Sequence, residues 1–329
     1  MRVRKIARKG KVKRKKIKAI RRATRKRHAP ANRGYDEGYS DALKHAQALN
    51  KAEYQNGYES GYNQGLYAGG EGIVEAALPP LMTLPNCKAE DVVTAGVEKL
   101  IPAHGRPLAD PAAVFERLMA AMDGHAPLSV VRLGDGEALA LAQDAAMSVE
   151  QVQREGHFLP YAGVDVPDLE ARNALANAIR GAHLVGIPIS RKPNFQPLLS
   201  AAFRAHGIDI SGMQLTSSVI NYQLYERGFL GRLLDRRKVL LVGDKAPAFA
   251  EWLHPYGVHV VGAIAPVNGV KDVPRVMKEI EPIHFDIALV SAGIAAVLIA
   301  QQIAGQLGKV AIDFGHLADR MMLGEAPYR

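Results

Sequence analysis

Two carboxylates stand close together where a buried strand is predicted to end. Asp135 and Glu137 lie two residues apart in the stretch SVVRLGDGEALALAQD, with Gly134 and Gly136 on either side of Asp135 and Arg132 upstream. If SVVRL is a strand, both carboxylates project at its carboxyl end, where open α/β sheets bind their ligands. One or two carboxylates, completed by water and phosphate oxygens, typically hold Mg²⁺ or Mn²⁺ at a nucleotide diphosphate. Arg132 could then contact a phosphate with two hydrogen bonds.

The same spacing also fits a purely structural arrangement. Asp135 would cap the helix that ALALAQD predicts, and Glu137 would be a first-turn acid favoured by the helix dipole. Arg132 would pair with one of the two. Because short acidic motifs recur by chance, spacing alone leaves both interpretations open.

A second polar pair follows the last strand candidate. Asp313 and His316 come after the apolar run KVAI, so in a parallel sheet they emerge on the same edge as Asp135. A histidine with a carboxylate three residues earlier could act as a general base on an acceptor hydroxyl, or could contact a phosphate. The structural alternative is a helix-capping aspartate and a histidine bonded within the fold.

A regular alternation of apolar runs and helical patterns begins near Leu108. Asp110 and Pro111 predict the start of a helix, and Gly124 predicts its end. Short apolar runs then alternate with helices, which predicts a mostly parallel sheet with helices on both faces, a Rossmann-like α/β fold. The strand candidates are LSVVRL, HLVGIPI, KVLLVG, VHVVGAI, FDIALVS and KVAIDFG, beginning at Leu128, His183, Lys238, Val258, Phe285 and Lys309.

The string RLGDGE and the distant string VSAGIAAVLIAQQIAGQLGKVAIDFGHLAD resemble the GT-D fold family of bacterial glycosyltransferases. That family carries an R-x-G-D-G-E string and ends in a D-x-G-H string. The resemblance covers roughly residues 108–322. It implies a domain that transfers a sugar from a nucleotide-sugar donor, with a D-x-E motif, here Asp135 and Glu137, holding a divalent cation.

The resemblance also implies roles for individual residues. It places Asp313 and His316 on the catalytic side of the site. It places a further group on the donor side: Arg132, Gly134, Gly136, Asn221, Ser291, Gly293 and Gly315. For Asn221, which lies on an amphipathic helical pattern, core packing is the alternative. The implied substrates are a nucleotide sugar and a glycan or protein acceptor.

The N-terminal third differs in composition from the predicted catalytic domain over residues 108–329. Residues 1–34 hold 17 of the 42 Lys and Arg and no acid, leaving 25 basic against 33 acidic residues elsewhere. This predicts a disordered tail that binds nucleic acid, an anionic wall polymer or acidic lipid, or that merely solubilises the chain.

Residues 35–76 repeat Gly and Tyr at spacings of four, which predicts a self-associating helix or a segment unfolded until it meets a partner. Residues 77–107 predict a linker or a short irregular helix.

Composition excludes several other classes of protein. Cys87 is the only cysteine, so the chain forms no internal disulfide and no cysteine-based zinc site. No apolar run approaches the roughly 18 residues of a membrane span, and we expect a cytoplasmic protein.

Two rival functions are a non-enzymatic polyanion-binding adaptor and a nucleotide-cofactor enzyme. The latter is disfavoured because VLLVGDKAP lacks the G-x-G-x-x-G loop.

Overall fold

The computed structural model describes residues 33–329. The chain forms two compact units. The first unit ends at His104, and the second is Gly105–Arg329. The basic tail predicted over residues 1–34 lies outside the described residues except for its last two. Within the described part of the chain, no helix combines the length and apolarity needed to cross a membrane.

The described part of the first unit is mainly helical. Its elements are α1 (Arg33–Leu66), a π-helical segment (Tyr67–Glu71), α2 (Gly72–Ala77) and α3 (Ala89–His104). α1 covers most of the Gly-Tyr segment, and α3 lies within the range for which the sequence predicts a linker or a short irregular helix. Tyr54, Tyr58 and Tyr62 are exposed along α1, and the rings of Tyr58 and Tyr62 stack at 6.3 Å. Self-association through this stripe stays a prediction.

The second unit contains one sheet of seven parallel strands. They are β1 (Leu128–Arg132), β2 (Leu184–Ile187), β3 (Leu215–Ser217), β4 (Lys238–Val242), β5 (His259–Ile264), β6 (Ile287–Val290) and β7 (Val310–Asp313). Their order across the sheet is β3-β2-β1-β7-β6-β4-β5, with every neighbouring pair parallel. The predicted Rossmann-like α/β fold is confirmed.

Helices cover both faces of this sheet. They are α4 (Pro111–Asp123), α5 (Asp135–Ala142), α6 (Val149–Glu155), α7 (Leu169–Gly181), α8 (Gln196–Ala205), α9 (Ile220–Glu226), α10 (Phe229–Leu234), α11 (Ala246–Leu253), α12 (Val273–Ile280), α13 (Ala295–Leu307) and α14 (Leu317–Met322). One apolar core joins α5, α6, α7, α8, α12 and α13 to the sheet. A second core, on the opposite face, joins α4, α9, α10, α11 and α14. Short 3-10 turns occupy Ile210–Gly212, His254–Tyr256 and Val270–Asp272.

Local sequence accounts for the start of α4, whereas β3 depends on its neighbours. A carboxylate oxygen of Asp110 accepts a hydrogen bond from the Ala113 backbone nitrogen at 2.8 Å, the predicted N-cap. β3 is not among the predicted strands, because it is short and its buried Thr216 and Ser217 break the apolar run. Tertiary pairing specifies it instead: the Thr216 hydroxyl donates to the Ala109 oxygen at 2.8 Å.

The strands β1 and β7 are neighbours, but the helices that follow them pack on opposite faces. α5 follows β1 in one core, and α14 follows β7 in the other. Where consecutive connections leave a parallel sheet in opposite directions, a crevice opens at the carboxyl ends of the strands. The residues after β1 and the residues after β7 therefore form the two sides of one crevice.

Candidate active site

Arg132 joins three strand ends at the floor of the crevice between β1 and β7. Its Nε donates to the Asp313 backbone oxygen, and its Nη2 donates to Asp313 Oδ1, both at 2.9 Å. Its Nη1 donates to the Ser218 backbone oxygen and to Asn221 Oδ1, both at 3.1 Å. Since a guanidinium has five N–H groups, these bonds leave one, on Nη2, for any other partner.

The partners of Arg132 are enclosed by protein. Asp313 is 3% exposed and Asn221 is 1% exposed, and Asn221 Nδ2 donates to the Phe314 oxygen at 2.8 Å. The sequence predicts Arg132 and Asn221 on the donor side and Asp313 beside the acceptor. In the structure the polar atoms of these side chains bond to one another and to the backbone, and their roles toward substrates stay predictions. A two-bond contact between Arg132 and a phosphate, or proton transfer by Asp313, would have to break this network.

Gly315 allows the chain to pass close to Arg132. Its φ is +56°, in the left-handed region, and a Cβ at this position would collide with Arg132 Nη2. The family string D-x-G-H therefore has a packing reason for its glycine in this chain. His316, the next residue, is exposed at the start of α14, and its side chain makes no capping hydrogen bond there.

Asp135 and Glu137 lie in the first turn of α5, whose N-cap is Gly134. Glu137 Oε2 accepts a hydrogen bond from the Gly134 nitrogen at 2.7 Å, and Asp135 Oδ1 accepts one from the Gly136 nitrogen at 3.0 Å. Glu137 thus supplies half of a capping box. It is a first-turn acid, as the structural alternative predicts, but the N-cap is Gly134 and not Asp135 as that alternative predicts. Asp135 Oδ2 and Glu137 Oε1 form no hydrogen bond within residues 33–329, so one oxygen of each carboxylate is available to a ligand.

Two carboxyl groups, those of Glu137 and Asp313, lie near the single positive charge of Arg132. Burial and then repulsion by Asp313 raise the pKa of Glu137 to about 7, against the opposing effects of the Gly134 hydrogen bond and of Arg132. Burial also raises the pKa of Asp313, and the charge and hydrogen bonds of Arg132 oppose that shift. An excess of buried acid over base disfavours ionisation, so a cation placed beside these carboxylates would stabilise their charged forms.

A divalent cation fits this donor set if part of its coordination comes from outside the protein. Within residues 33–329, no three His, Cys, Asp or Glu side chains converge as metal ligands. Mg²⁺ and Mn²⁺ at nucleotide sites commonly take one or two carboxylates, with water and phosphate oxygens completing the shell. The free oxygens of Asp135 and Glu137 match that arrangement.

A turn formed by residues 156–164 lies across the carboxyl edge of the sheet. A Cβ placed on Gly136 would be 3.5 Å from the Phe158 ring, so the turn begins beside the D-x-E motif. Further along, the Ile294 nitrogen donates to the Ala162 oxygen at 3.1 Å. The turn therefore connects the end of β1 to the segment that follows β6, and it forms one wall of the crevice.

Two other predicted positions, Ser291 and Gly293, lie on the same edge of the sheet, where they make backbone contacts with neighbouring segments. Ser291 and Gly293 follow β6, and the Ser291 nitrogen donates to the Val242 oxygen at 2.7 Å. Gly293 has φ +54°, and a Cβ there would lie 2.7 Å from the Ala162 oxygen. Only glycine permits this approach of the turn, which gives Gly293 a structural reason that is independent of any donor.

Sequence patterns missed two groups on the rim of the crevice. Tyr161, in the turn, is 87% exposed. Lys245 follows β4, and its Nζ lies 2.8 Å from Asp319 Oδ1 on α14. Asp319, and to a lesser degree Tyr161, raises the pKa of Lys245. The position of Lys245 just after the predicted strand KVLLVG was the one indication in the sequence, since that places it at a carboxyl end.

Comparison with known proteins defines the class to which this architecture belongs. The model of the GT-D fold-like domain matches residues 109–321, so the chain belongs to that family, and the resemblance found from the two strings is confirmed. The second unit thus has a glycosyltransferase-like fold.

A solved structure similar to this chain represents the highly conserved domain of unknown function 1792, described as having a distinct glycosyltransferase fold. The two share 14% sequence identity with a TM-score of 0.46, over 71% of this chain and 87% of the other. No curated protein matches the chain.

Proposed function

We propose that the second unit is a metal-dependent glycosyltransferase, which moves a sugar from a nucleotide-diphosphate sugar to a glycan or protein acceptor. One observation carries this proposal: both carboxylates of the D-x-E motif keep an oxygen free of protein partners at the crevice between β1 and β7. Membership of the GT-D fold-like family supports sugar transfer as the chemistry.

The roles of the residues follow from their surroundings. Asp135 and Glu137 would hold Mn²⁺ or Mg²⁺, which when bound offsets the negative charge that gathers on the departing diphosphate. Arg132 adds positive charge beneath them and fixes the strand ends that carry the site. His316 is the exposed group that would accept a proton from the acceptor hydroxyl, since Asp313 is committed to Arg132.

The rim residues extend the donor side of the crevice. An aromatic ring can stack on a base, and an ammonium can pair with a phosphate. Tyr161, on the turn 156–164, would supply the ring, and Lys245, after β4, would supply the ammonium. We assign them to the nucleotide of the donor rather than to the acceptor.

Thermal melting of the full chain tests the proposal. UDP, GDP, CDP, ADP and TDP are added with and without Mn²⁺, and at least one should raise the melting temperature only when the cation is present, because a ligand of the folded state alone stabilises it. Asp135→Asn should abolish that shift and lower sugar transfer by a factor of about 10² to 10³. Glu170→Gln, at a first-turn acid of α7, is the matched control and should behave like the wild type.

Two results would contradict the proposal. One is a wild-type protein whose melting responds to no nucleotide with Mn²⁺ or Mg²⁺. The other is an Asp135→Asn variant that keeps both the cation-dependent shift and transferase activity. A non-enzymatic adaptor would give the first result.

A further inference from the structure

A groove of about 510 Å³ lies at the amino edge of the sheet, opposite the candidate active site. Its lining includes Asp235, which precedes β4, and Tyr256 and Gly257, which precede β5. A strand of five residues rises about 3.3 Å per residue, so roughly 15 Å of sheet separates this groove from the crevice. Its volume falls within the range of about 300 to 1,000 Å³ that is typical of ligand pockets.

Aromatic rings form the walls of this groove. Tyr256 and Tyr328 stack with ring centroids 4.8 Å apart, and Tyr256 is 48% exposed. Phe115 lies beneath Arg232, whose Cζ is 4.4 Å from the ring centroid. Tyr256 also lies 4.9 Å from Trp252, so these rings form a stack whose exposed C–H edges and phenol groups line the groove and can pack against a pyranose ring.

Polar groups of both signs accompany these rings. The guanidinium of Arg232 lies over Phe115 and Phe229. The carboxylate of Asp235 pairs only loosely, at 3.9 Å, with Arg236. Burial, and then the charge of Asp235, raises the pKa of the Tyr328 phenol, so its hydroxyl remains a hydrogen-bond donor. The groove therefore presents hydrogen-bond donors and an acceptor, while its two charges offset each other.

We propose that this groove binds a neutral carbohydrate, with a pyranose ring against the Tyr256–Tyr328 stack and its hydroxyl groups hydrogen-bonded to Asp235, Arg232 and the Tyr328 phenol. A nucleotide or another anion would meet Asp235 as well as Arg232 and would gain no net electrostatic attraction, whereas an apolar peptide would leave three polar side chains without partners. The inference goes beyond the proposed function, because sugar binding here requires no cation and no transfer. In an enzyme that extends a glycan, the groove would hold a part of the chain remote from the reacting end.

The single tryptophan of the chain reports on this groove. Trp252 lies with its ring 4.9 Å from that of Tyr256. Its fluorescence is followed while the full chain is titrated with glucose, galactose, mannose, N-acetylglucosamine and their β-linked disaccharides. We expect at least one of these sugars to give a saturable change. Because the ligand is neutral, its affinity should change little with salt.

Conservative variants locate the binding. Asp235→Asn and Tyr328→Phe keep the shape of the groove but remove an anionic acceptor and a donor, and each should weaken the affinity about tenfold. Asp144→Asn changes an exposed aspartate elsewhere and should match the wild type; its φ of +49° suits asparagine. Asp135→Asn should also keep the wild-type affinity for the sugar, which separates this inference from the fate of the transferase proposal.

Three results would overturn the proposal. The first is the absence of a saturable change with any of these sugars up to their solubility limits. The second is an unchanged affinity in both Asp235→Asn and Tyr328→Phe. The third is competition by a nucleoside diphosphate with Mn²⁺, which would place the sugar in the crevice instead.

Discussion

Within the six residues of the RLGDGE string, side chains divide between holding the fold and facing a ligand. Arg132 donates four hydrogen bonds to Asp313, Ser218 and Asn221. A buried guanidinium needs such partners, since leaving it unpaired would cost several kcal/mol. The carboxylates of Asp135 and Glu137, three and five residues further on, each keep one oxygen free of hydrogen bonds within residues 33–329. A stable frame therefore lies directly beneath the reactive groups.

The ionisation of Glu137 should make the cation-free protein less stable as the pH rises. In the unfolded chain this carboxyl ionises near its ordinary pKa of 4.5, whereas in the fold its pKa is about 7. Between these values the folded state binds more protons, so the free energy of unfolding falls with rising pH. The loss is at most about 3 kcal/mol, and solvent screening reduces it. Urea unfolding at about pH 5 and about pH 8, with a chelator present, measures it.

Glu137→Gln provides the matched comparison for this pH dependence. The amide oxygen of glutamine can still accept from the Gly134 nitrogen but cannot titrate, so the decline in stability from this group should vanish. Identical pH dependence in the wild type and in Glu137→Gln would contradict the assignment.

Among the elements, the turn 156–164 is held by backbone contacts that only glycine permits. Gly163 has φ +92°, and its backbone lies against that of Gly269. The Val270 nitrogen also donates to the Gly163 oxygen at 3.2 Å. These contacts hold the turn against the segment that follows β5. The contact of Gly293 with Ala162 holds it against the segment that follows β6. The position of Tyr161 on the rim depends on them.

Gly293→Ala should detach this turn. Its φ is +54°, and the new Cβ would lie 2.7 Å from the Ala162 oxygen, so backbone strain and a steric clash add together. Gly308→Ala is the control, because Gly308 has φ +64° with no atom near its Cβ position. We expect the control to lose about 1 to 2 kcal/mol of unfolding free energy and Gly293→Ala to lose about 1 to 3 kcal/mol more.

Limited proteolysis distinguishes detachment of the turn from a general loss of stability. Cleavage within residues 156–164 should accelerate in Gly293→Ala and stay slow in Gly308→Ala. Equal stability and equal cleavage in the two variants would show that the contact of Gly293 with Ala162 does not hold the turn.

At the scale of the whole molecule, the charges of the chain are segregated. The first 34 residues carry 17 basic residues and no acid, whereas the remainder is acidic on balance. We expect such a segment to bind polyanions through release of their counterions, whereas the candidate active site lies within Gly105–Arg329. The chain thus combines a cationic segment with a glycosyltransferase-like domain.

Removal of residues 1–34 should separate the two activities. The truncated chain should keep the nucleotide-dependent rise in melting temperature but lose most of its affinity for a single-stranded RNA homopolymer. In the intact chain, that affinity should fall steeply as salt rises. Full-length Asp135→Asn should show the reverse pattern, with RNA binding intact. Equal RNA affinity before and after truncation would place the polyanion site elsewhere.

The sequence by itself determined the fold class and the edge on which the site lies. Apolar runs and caps act over a few residues, so the pattern located six of the seven strands and the N-cap Asp110. The carboxylates Asp135 and Glu137 follow β1 directly, and their place at a carboxyl end required only the direction of one strand. The short strand β3 was missed because its pairing, not its composition, makes it a strand.

Only the tertiary structure decided which polar residues bond within the protein and which keep atoms free of protein partners. The contacts of Arg132 join residues 86, 89 and 181 positions apart, and the order β3-β2-β1-β7 brings those partners together. No local sequence pattern specifies this strand order, because loop closure and packing determine it for the whole sheet. Asp313 and Asn221 therefore became internal partners, while Tyr161 and Lys245, which no motif marks, came to lie on the rim.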